Sequence, residues 1–198
     1  MKSIPDKSID LVLTDPPYWI GIDWQKQSVS TNSKHNRKEY EFKWWDSWIP
    51  PKEYFDEIFR ISKNQVIWGG NYFVDYFTEW HKWWLMWDKW QHGLTMSDWE
   101  LAYTSFDTPL RIFILNRVHI QTDWAVHPTQ KPLELFRWCI DMFTKPWDIV
   151  LDPFGWSGTT GIVRAETGRN YILYEKDEDY CNIIEKRLKA TTPPLFVM

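Results

Sequence analysis

An α/β domain with a mostly parallel sheet is what this sequence predicts, and three observations carry the expectation. Short apolar runs alternate along the chain with amphipathic stretches of helical period. Two of the runs, "IDLVLTD" (9–15) and "DIVLD" (148–152), are apolar without alternation, as strands buried on both faces are. Each of those two ends in a turn rich in proline, glycine or small hydroxyls, the punctuation expected where a strand gives way to a loop or helix. The length of 198 residues suits a single domain, 1–198.

Taken in order, the first run ends in "DPPY" (15–18). Residues 22–50, with "STNSKHNRK" at their centre, read as a long mobile loop. After Pro50-Pro51, "KEYFDEIFRIS" sets Tyr54, Phe55, Ile58, Phe59 and Ile61 largely along one helical face. "NQVIWGG", "WWLMWDK", "ELAYTSF" and "LRIFILN" are strand candidates, with "DTP" as the turn between the last two. "KPLELFRWCIDMF" predicts a helix beginning near Pro132. Then come "DIVLD", the turn "DPFGWSGTTG" (152–161), a helix, the strand "NYILYE" and a final helix over "KDEDYCNIIEKRLK".

Composition narrows the function classes. A net charge of −4 offers no global attraction for nucleic acid, so such a partner must be held by a local patch or through its bases. No run of about 18 apolar residues and no signal-peptide pattern occurs, which predicts a cytoplasmic protein with no membrane partner. Cys139 and Cys181 lie far apart without CxxC spacing and read as buried thiols. The five histidines form no HxxxH or HxE cluster, so no metal site is expected.

Two motifs carry chemistry. In "DPPY", a carboxylate, a rigid Pro-Pro and an aromatic ring stand together at the carboxyl end of a strand, where open α/β sheets bind ligands. An exocyclic amine on a nucleobase is a poor nucleophile because its lone pair is delocalised into the ring. The Asp15 carboxylate and the Pro16 carbonyl can accept its two N–H bonds and turn the lone pair out of the ring plane, while Tyr18 stacks on the base. A structural turn after a buried strand is the other reading of the same four residues. In the second motif, the order of strand, glycine turn ending at Gly161, helix, strand and the strand-end acid Glu175 is a nucleoside-binding layout: the turn takes the polar tail and the acid takes the ribose hydroxyls. A phosphate-binding P-loop is excluded because no GK[ST] ending follows.

At this point the sequence resembles the S-adenosylmethionine-dependent DNA amino-methyltransferases, in the permuted class whose DPPY motif precedes the cofactor motif. "DLVLTDPPY", "IWGGNYF", "WDK", "SDWELAYTSF", "HPTQKP", "DIVLDPF", "SGTT" and "GRNYILYEKDEDY" match in order over nearly the whole chain. The resemblance implies a Rossmann-like, circularly permuted methyltransferase fold in which the DPPY strand lies beside the cofactor strand. It implies that Asp15, Pro16, Pro17 and Tyr18 bind and activate the target amine. Asp152, Phe154, Gly155, Ser157, Gly158, Thr159 and Thr160 would line the cofactor, Glu175 would hold its ribose, and "HPTQKP" (127–132) would close the site with Lys131 near the cofactor carboxylate. The implied substrate is adenine N6 in DNA, flipped from its duplex, with cytosine N4 as the alternative and a catalytically silent binding relic as the alternative of another class. For DNA contact the candidates are Lys34, Arg37 and Lys38 in the 22–50 loop. A target-recognition region would be reduced to 107–126. The oligomeric state is left open, a homodimer included.

Two features depart from that pattern. Relatives carry a further strand ahead of DPPY, which here would lie upstream of "MKSIPDKSID". Further, tryptophan stands where glycine is wanted at Trp19, Trp90, Trp99, Trp147 and Trp156. A usual glycine share of about 7% predicts roughly fourteen in a chain of this length, whereas there are 8 glycines beside 16 tryptophans. We expect these five positions to be glycines encoded by UGA in an organism that reads UGA as glycine, written here as tryptophan.

Overall fold

The computed structural model describes residues 1–18, 48–77, 83–91, 97–116 and 130–191. Seven strands form one sheet in the order β5-β3-β4-β2-β1-β6-β7. They are β1 (Ile9–Thr14), β2 (Ser62–Trp68), β3 (Trp84–Asp88), β4 (Trp99–Thr104), β5 (Arg111–Ile114), β6 (Ile149–Asp152) and β7 (Asn170–Leu173). Among the described residues four α-helices accompany them: α1 (Lys52–Ile61), α2 (Leu133–Phe143), α3 (Thr159–Thr167) and α4 (Glu178–Thr191). Pairing is parallel throughout except at β4, which runs antiparallel to both of its neighbours, β2 and β3. The expected mostly parallel α/β sheet is therefore present. The turn "DTP" does not make a hairpin, because β5 pairs in parallel with β3.

Period-two alternation explains how the sheet is covered. Leu11, Leu13, Val66, Trp68, Leu85 and Val150 point to one face, where Leu135, Phe136, Cys139 and Ile140 of α2 and Val163 of α3 meet them. Val12, Ile67, Tyr103 and Leu151 point to the other, against Phe55, Ile58 and Ile61 of α1, and Ile9 at the start of β1 packs with them. On α1 the expected apolar face is narrower than the sequence suggests: Tyr54 is exposed and turns its ring toward Phe154, 6.1 Å away. Cys139 is buried as expected, whereas Cys181 is half-buried, and neither forms a disulfide. Among the described residues no helix is long and apolar enough to cross a membrane.

The sheet order reverses between β1 and β6. From β1 the chain passes through α1 to β2 on one side; from β6 it passes through α3 to β7 on the other. Such a reversal opens a crevice beyond the carboxyl ends of the two central strands. "DPPY" follows β1 and "DPFGWSGTTG" follows β6, so both motifs face that crevice.

Backbone geometry separates the five tryptophans. Trp90, Trp147 and Trp156 have φ of 50°, 76° and 45°, in the left-handed region that favours glycine; among the described residues the other non-glycine there is Lys7. Trp90 and Trp147 are 63% and 78% exposed, so their indoles gain little burial and the turn alone sets the conformation. Trp99 differs: it begins β4 with a half-exposed side chain and is not among the positive-φ residues, so the expected demand for glycine is absent from its backbone. Trp19 lies outside the described residues.

Candidate active site

Asp15 stands just past the end of β1, its side chain 13% exposed. Its Oδ2 takes a 2.6 Å hydrogen bond from Lys131 Nζ, and its Oδ1 is buried without a hydrogen-bond partner among the described residues. Burial pushes the Asp15 carboxyl up to about 6, against the opposing pull of Lys131. Lys131 is itself buried, and its ammonium, held charged by Asp15 and Glu100, lies 3.0 Å from Glu100 Oε2. Glu100 Oε1 in turn pairs with Lys89 Nζ at 2.7 Å. The expected neighbourhood of Lys131 is a cofactor carboxylate; its observed partners are two carboxylates of the chain.

Pro16 and Pro17 are buried and fix the turn. Tyr18 stacks on Tyr72 with ring centroids 4.6 Å apart, and a Cβ at Gly69, whose φ is +69°, would come within 2.7 Å of the Tyr18 ring. Glycine in "IWGGNYF" thus makes room for the aromatic ring of DPPY.

The turn after β6 is built around Asp152. Its Oδ1 accepts hydrogen bonds from Thr14 Oγ1 (2.7 Å) and the Phe154 N–H (3.1 Å), and its Oδ2 from Thr160 Oγ1 (2.8 Å). This buried carboxyl, pushed up to about 7 chiefly by burial, ties β1 to the turn and to the start of α3. Gly155 donates its N–H to Tyr174 O at 2.8 Å, and a Cβ there would meet that oxygen at 3.1 Å. Gly158 has φ +75°. Ser157 and Thr159 share a 3.2 Å hydrogen bond at the N-terminal end of α3. Glu175 lies two residues past β7, where its carboxylate accepts the N–H groups of Trp156, Lys176 and Asp177 at 2.8–2.9 Å.

Trp156 lies across the crevice. Its backbone N–H meets Glu175, while its indole Nε1–H donates to Asp15 O at 3.0 Å. The remaining cleft is narrow and is lined among others by Asp15, Lys131, Asp152, Phe154, Trp156 and Thr159. The structure therefore brings together Asp15 to Tyr18, Lys131, Asp152 and the 154–160 turn. Glu175 reaches them through the backbone of Trp156. Lys34, Arg37, Lys38 and His127 lie outside the described residues, as does most of the 22–50 loop and half of 107–126. Glu100 and Lys89 were not expected at the site.

Residues 56–186 match the model of the DNA methylase family that comprises N6 and N4 methyltransferases. The chain belongs to this family. Among curated members, the Type II methyltransferase M.HinfI of Haemophilus influenzae is 28% identical over 242 residues, covering 98% of this chain and 66% of its own length. The putative methylase YubD of Escherichia coli K12 is 25% identical over 214 residues, covering 96% of this chain and 86% of its own. Of solved DNA methylases, the complex of M1.HpyAVI with SAM superposes with a TM-score of 0.62 at 25% identity over 92% of this chain and 90% of that one. The cytosine-N4-specific PvuII DNA methyltransferase gives a TM-score of 0.62 at 17% identity over 94% and 81%, a likeness of fold.

Proposed function

We propose that the chain transfers a methyl group from S-adenosylmethionine to the exocyclic N6 amine of adenine in DNA. The observation that carries the reading is the juxtaposition, across the β1/β6 crevice, of a buried acceptor without a partner, Asp15 Oδ1, and a glycine turn that opens a helix. An amine N–H is the natural partner for that oxygen, since a buried acceptor left unpaired costs about 1–3 kcal/mol.

The residues fit the cofactor at all points but one. Gly155 and Gly158 let the turn pack closely on Tyr174 O and Ile184, and Glu175 Oε2 keeps a lone pair for a ribose hydroxyl beyond that given to the Trp156 N–H, whereas Oε1 already accepts the Lys176 and Asp177 N–H groups. Trp156 is the exception, because its indole bridges the two sides that the cofactor would separate. When bound, S-adenosylmethionine supplies an electrophilic methyl group. The chain's own part is to grip the amine. Asp15 Oδ1 and the Pro16 carbonyl accept its N–H bonds and Tyr18 supports the base, which localises the lone pair on nitrogen as positive charge develops there. Lys131 holds the other Asp15 oxygen and so fixes the carboxylate plane. Lys34, Arg37 and Lys38 are our candidates for phosphate contacts, and a flipped base is the form of adenine that could enter such a crevice.

The test is to incubate unmethylated DNA with cofactor and the Trp156→Gly chain, digest to nucleosides and separate them. N6-methyldeoxyadenosine is the expected product; N4-methyldeoxycytidine would move the target to cytosine, and no methylated nucleoside would favour a silent binding relic. In the same background, Glu175→Ala should weaken cofactor binding by roughly 1.5–3 kcal/mol, the worth of hydrogen bonds to a charged group. Calorimetric titration gives the number, and an unchanged Kd would remove Glu175 from the ribose.

A further inference from the structure

We propose that Glu100 and Lys89 are positioning residues for methyl transfer, holding Lys131 on Asp15 Oδ2 so that Asp15 Oδ1 stays open and basic toward the amine. The inference rests on the function proposed above and concerns residues that do not touch the reacting atoms.

Topology brings the pair to the site. Because β4 is antiparallel, its first residues lie at the carboxyl edge of the sheet, level with the end of β3: Trp87 pairs with Glu100 and Asp88 with Trp99. Lys89 follows directly after β3, while Lys131 immediately precedes α2. The result is a buried row of alternating charge, Asp15, Lys131, Glu100 and Lys89, with contacts of 2.6, 3.0 and 2.7 Å and side chains 5–20% exposed. Two carboxylates and two ammoniums cancel, as buried charges must if they are to stay ionised.

The order of the row matters more than its neutrality. Lys131 lies between two acids, so its charge is shared. Remove the charge on Glu100, and the whole ammonium charge bears on Asp15; the ammonium is then free to move over both Asp15 oxygens, Oδ1 included. Lys89 fixes the outer oxygen of Glu100 and limits how much negative charge reaches Asp15. The titratable groups that act on Asp15 or respond to it are Lys131, Glu100, Lys89, Tyr18 and Asp152. Glu100 raises the Asp15 carboxyl and Lys89 lowers it, so the two should act with opposite sign.

The experiment reads the carboxyl directly. In the ligand-free chain with 13C-labelled aspartate, the Asp15 signal is the one lost in Asp15→Asn, and it should titrate near 6. Glu100→Gln should move it to lower pH by about one unit, the scale of a close like charge, and Lys89→Met should move it upward. In the Trp156→Gly background, Glu100→Gln should lower kcat about tenfold, a partial loss of acid–base assistance. The acid limb of its rate profile should move in the same direction as the carboxyl signal, with cofactor Kd unchanged. A purely structural role would lower thermal stability without moving Asp15. An unshifted Asp15 in folded Glu100→Gln, or shifts of the same sign in both variants, overturns the proposal. Should Glu100→Gln fail to fold, Lys89→Met decides alone, and an unshifted or lowered Asp15 there also overturns it. Shifts of the expected signs with no methylation by any variant would support the positioning and sink the proposed function.

Discussion

Replacing Asp15 with alanine is expected to abolish methyl transfer while cofactor affinity stays within about tenfold, because Asp15 acts on the amine and not on the donor. Loss of a preorganised group that stabilises developing charge costs about 10²–10³ in rate. Here the same change also leaves Lys131 beside the amine with one counterion fewer, and that positive charge opposes the cation forming on nitrogen. Asp15→Asn separates the two effects, since its amide keeps an acceptor and loses the charge. The ionised form is the active one. With the Asp15 carboxyl near 6, the rate should fall as pH drops through about 6. Radiolabelled methyl incorporation measures the rate and calorimetry the affinity; retained turnover in Asp15→Ala would take the residue out of the chemistry.

Trp156→Gly is expected to improve cofactor affinity by tenfold or more. A non-glycine residue at φ 45° carries about 1–2 kcal/mol of strain, and Trp156 is one of three tryptophans among the described residues with φ in that region. Because the ligand-free turn already holds φ 45°, that strain weighs on stability, and on affinity only where binding demands more of it. The indole adds a second term: its hydrogen bond to Asp15 O closes the crevice and must break before a ligand enters, at a net cost of about 0.5–1.5 kcal/mol. At about 1.4 kcal/mol per decade the indole's hydrogen bond alone is worth a factor of about 2 to 12, and the space that the indole takes in the cleft adds to it. Calorimetric titration of S-adenosylmethionine into the two chains is direct, and equal affinities would show that the turn accommodates tryptophan. Recoding makes a separate claim, that the protein made by its own host carries glycine at these positions. Mass spectrometry of that protein would end the idea if all five read as tryptophan.

The strands flanking the crevice were legible because both are continuous apolar runs ending in distinctive turns, and α2 because its apolar period starts at a proline. The demand for glycine at positions 90, 147 and 156 was legible too, since turn sequences specify φ locally; at Trp99 the same reading failed because that residue enters a strand. Glu100 and Lys89 lie in "SDWELAYTSF" and "WDK", yet nothing local in either segment marks them as site residues. In a sheet taken as parallel, a residue at the start of a strand belongs to the edge opposite the ligands. The reversal of β4 is what brings Glu100 to the crevice, and strand direction is fixed by pairing, not by any local residue. Lys131 and Asp15 are 116 positions apart, so their pairing could be inferred only from resemblance, which suggested a different partner.

Two buried carboxyls at neighbouring strand ends also set how the fold responds to acid. Asp15 and Asp152 both bind protons more tightly folded than unfolded, with carboxyls near 6 and 7 against an ordinary 3.8. Their stabilising contribution is complete below about 3.8 and is lost as pH rises through 6 and 7. Glu100, held down to about 2, contributes in the opposite sense, above 4.5, and keeps most of that contribution until the medium is far more acidic. Between these limits the melting temperature should climb as pH is lowered from 7.5 to 5.5, while turnover declines. The protein is then sturdiest when idle: the ionised state that works is the one the fold tolerates least, and a mildly acidic buffer is the natural medium for keeping it.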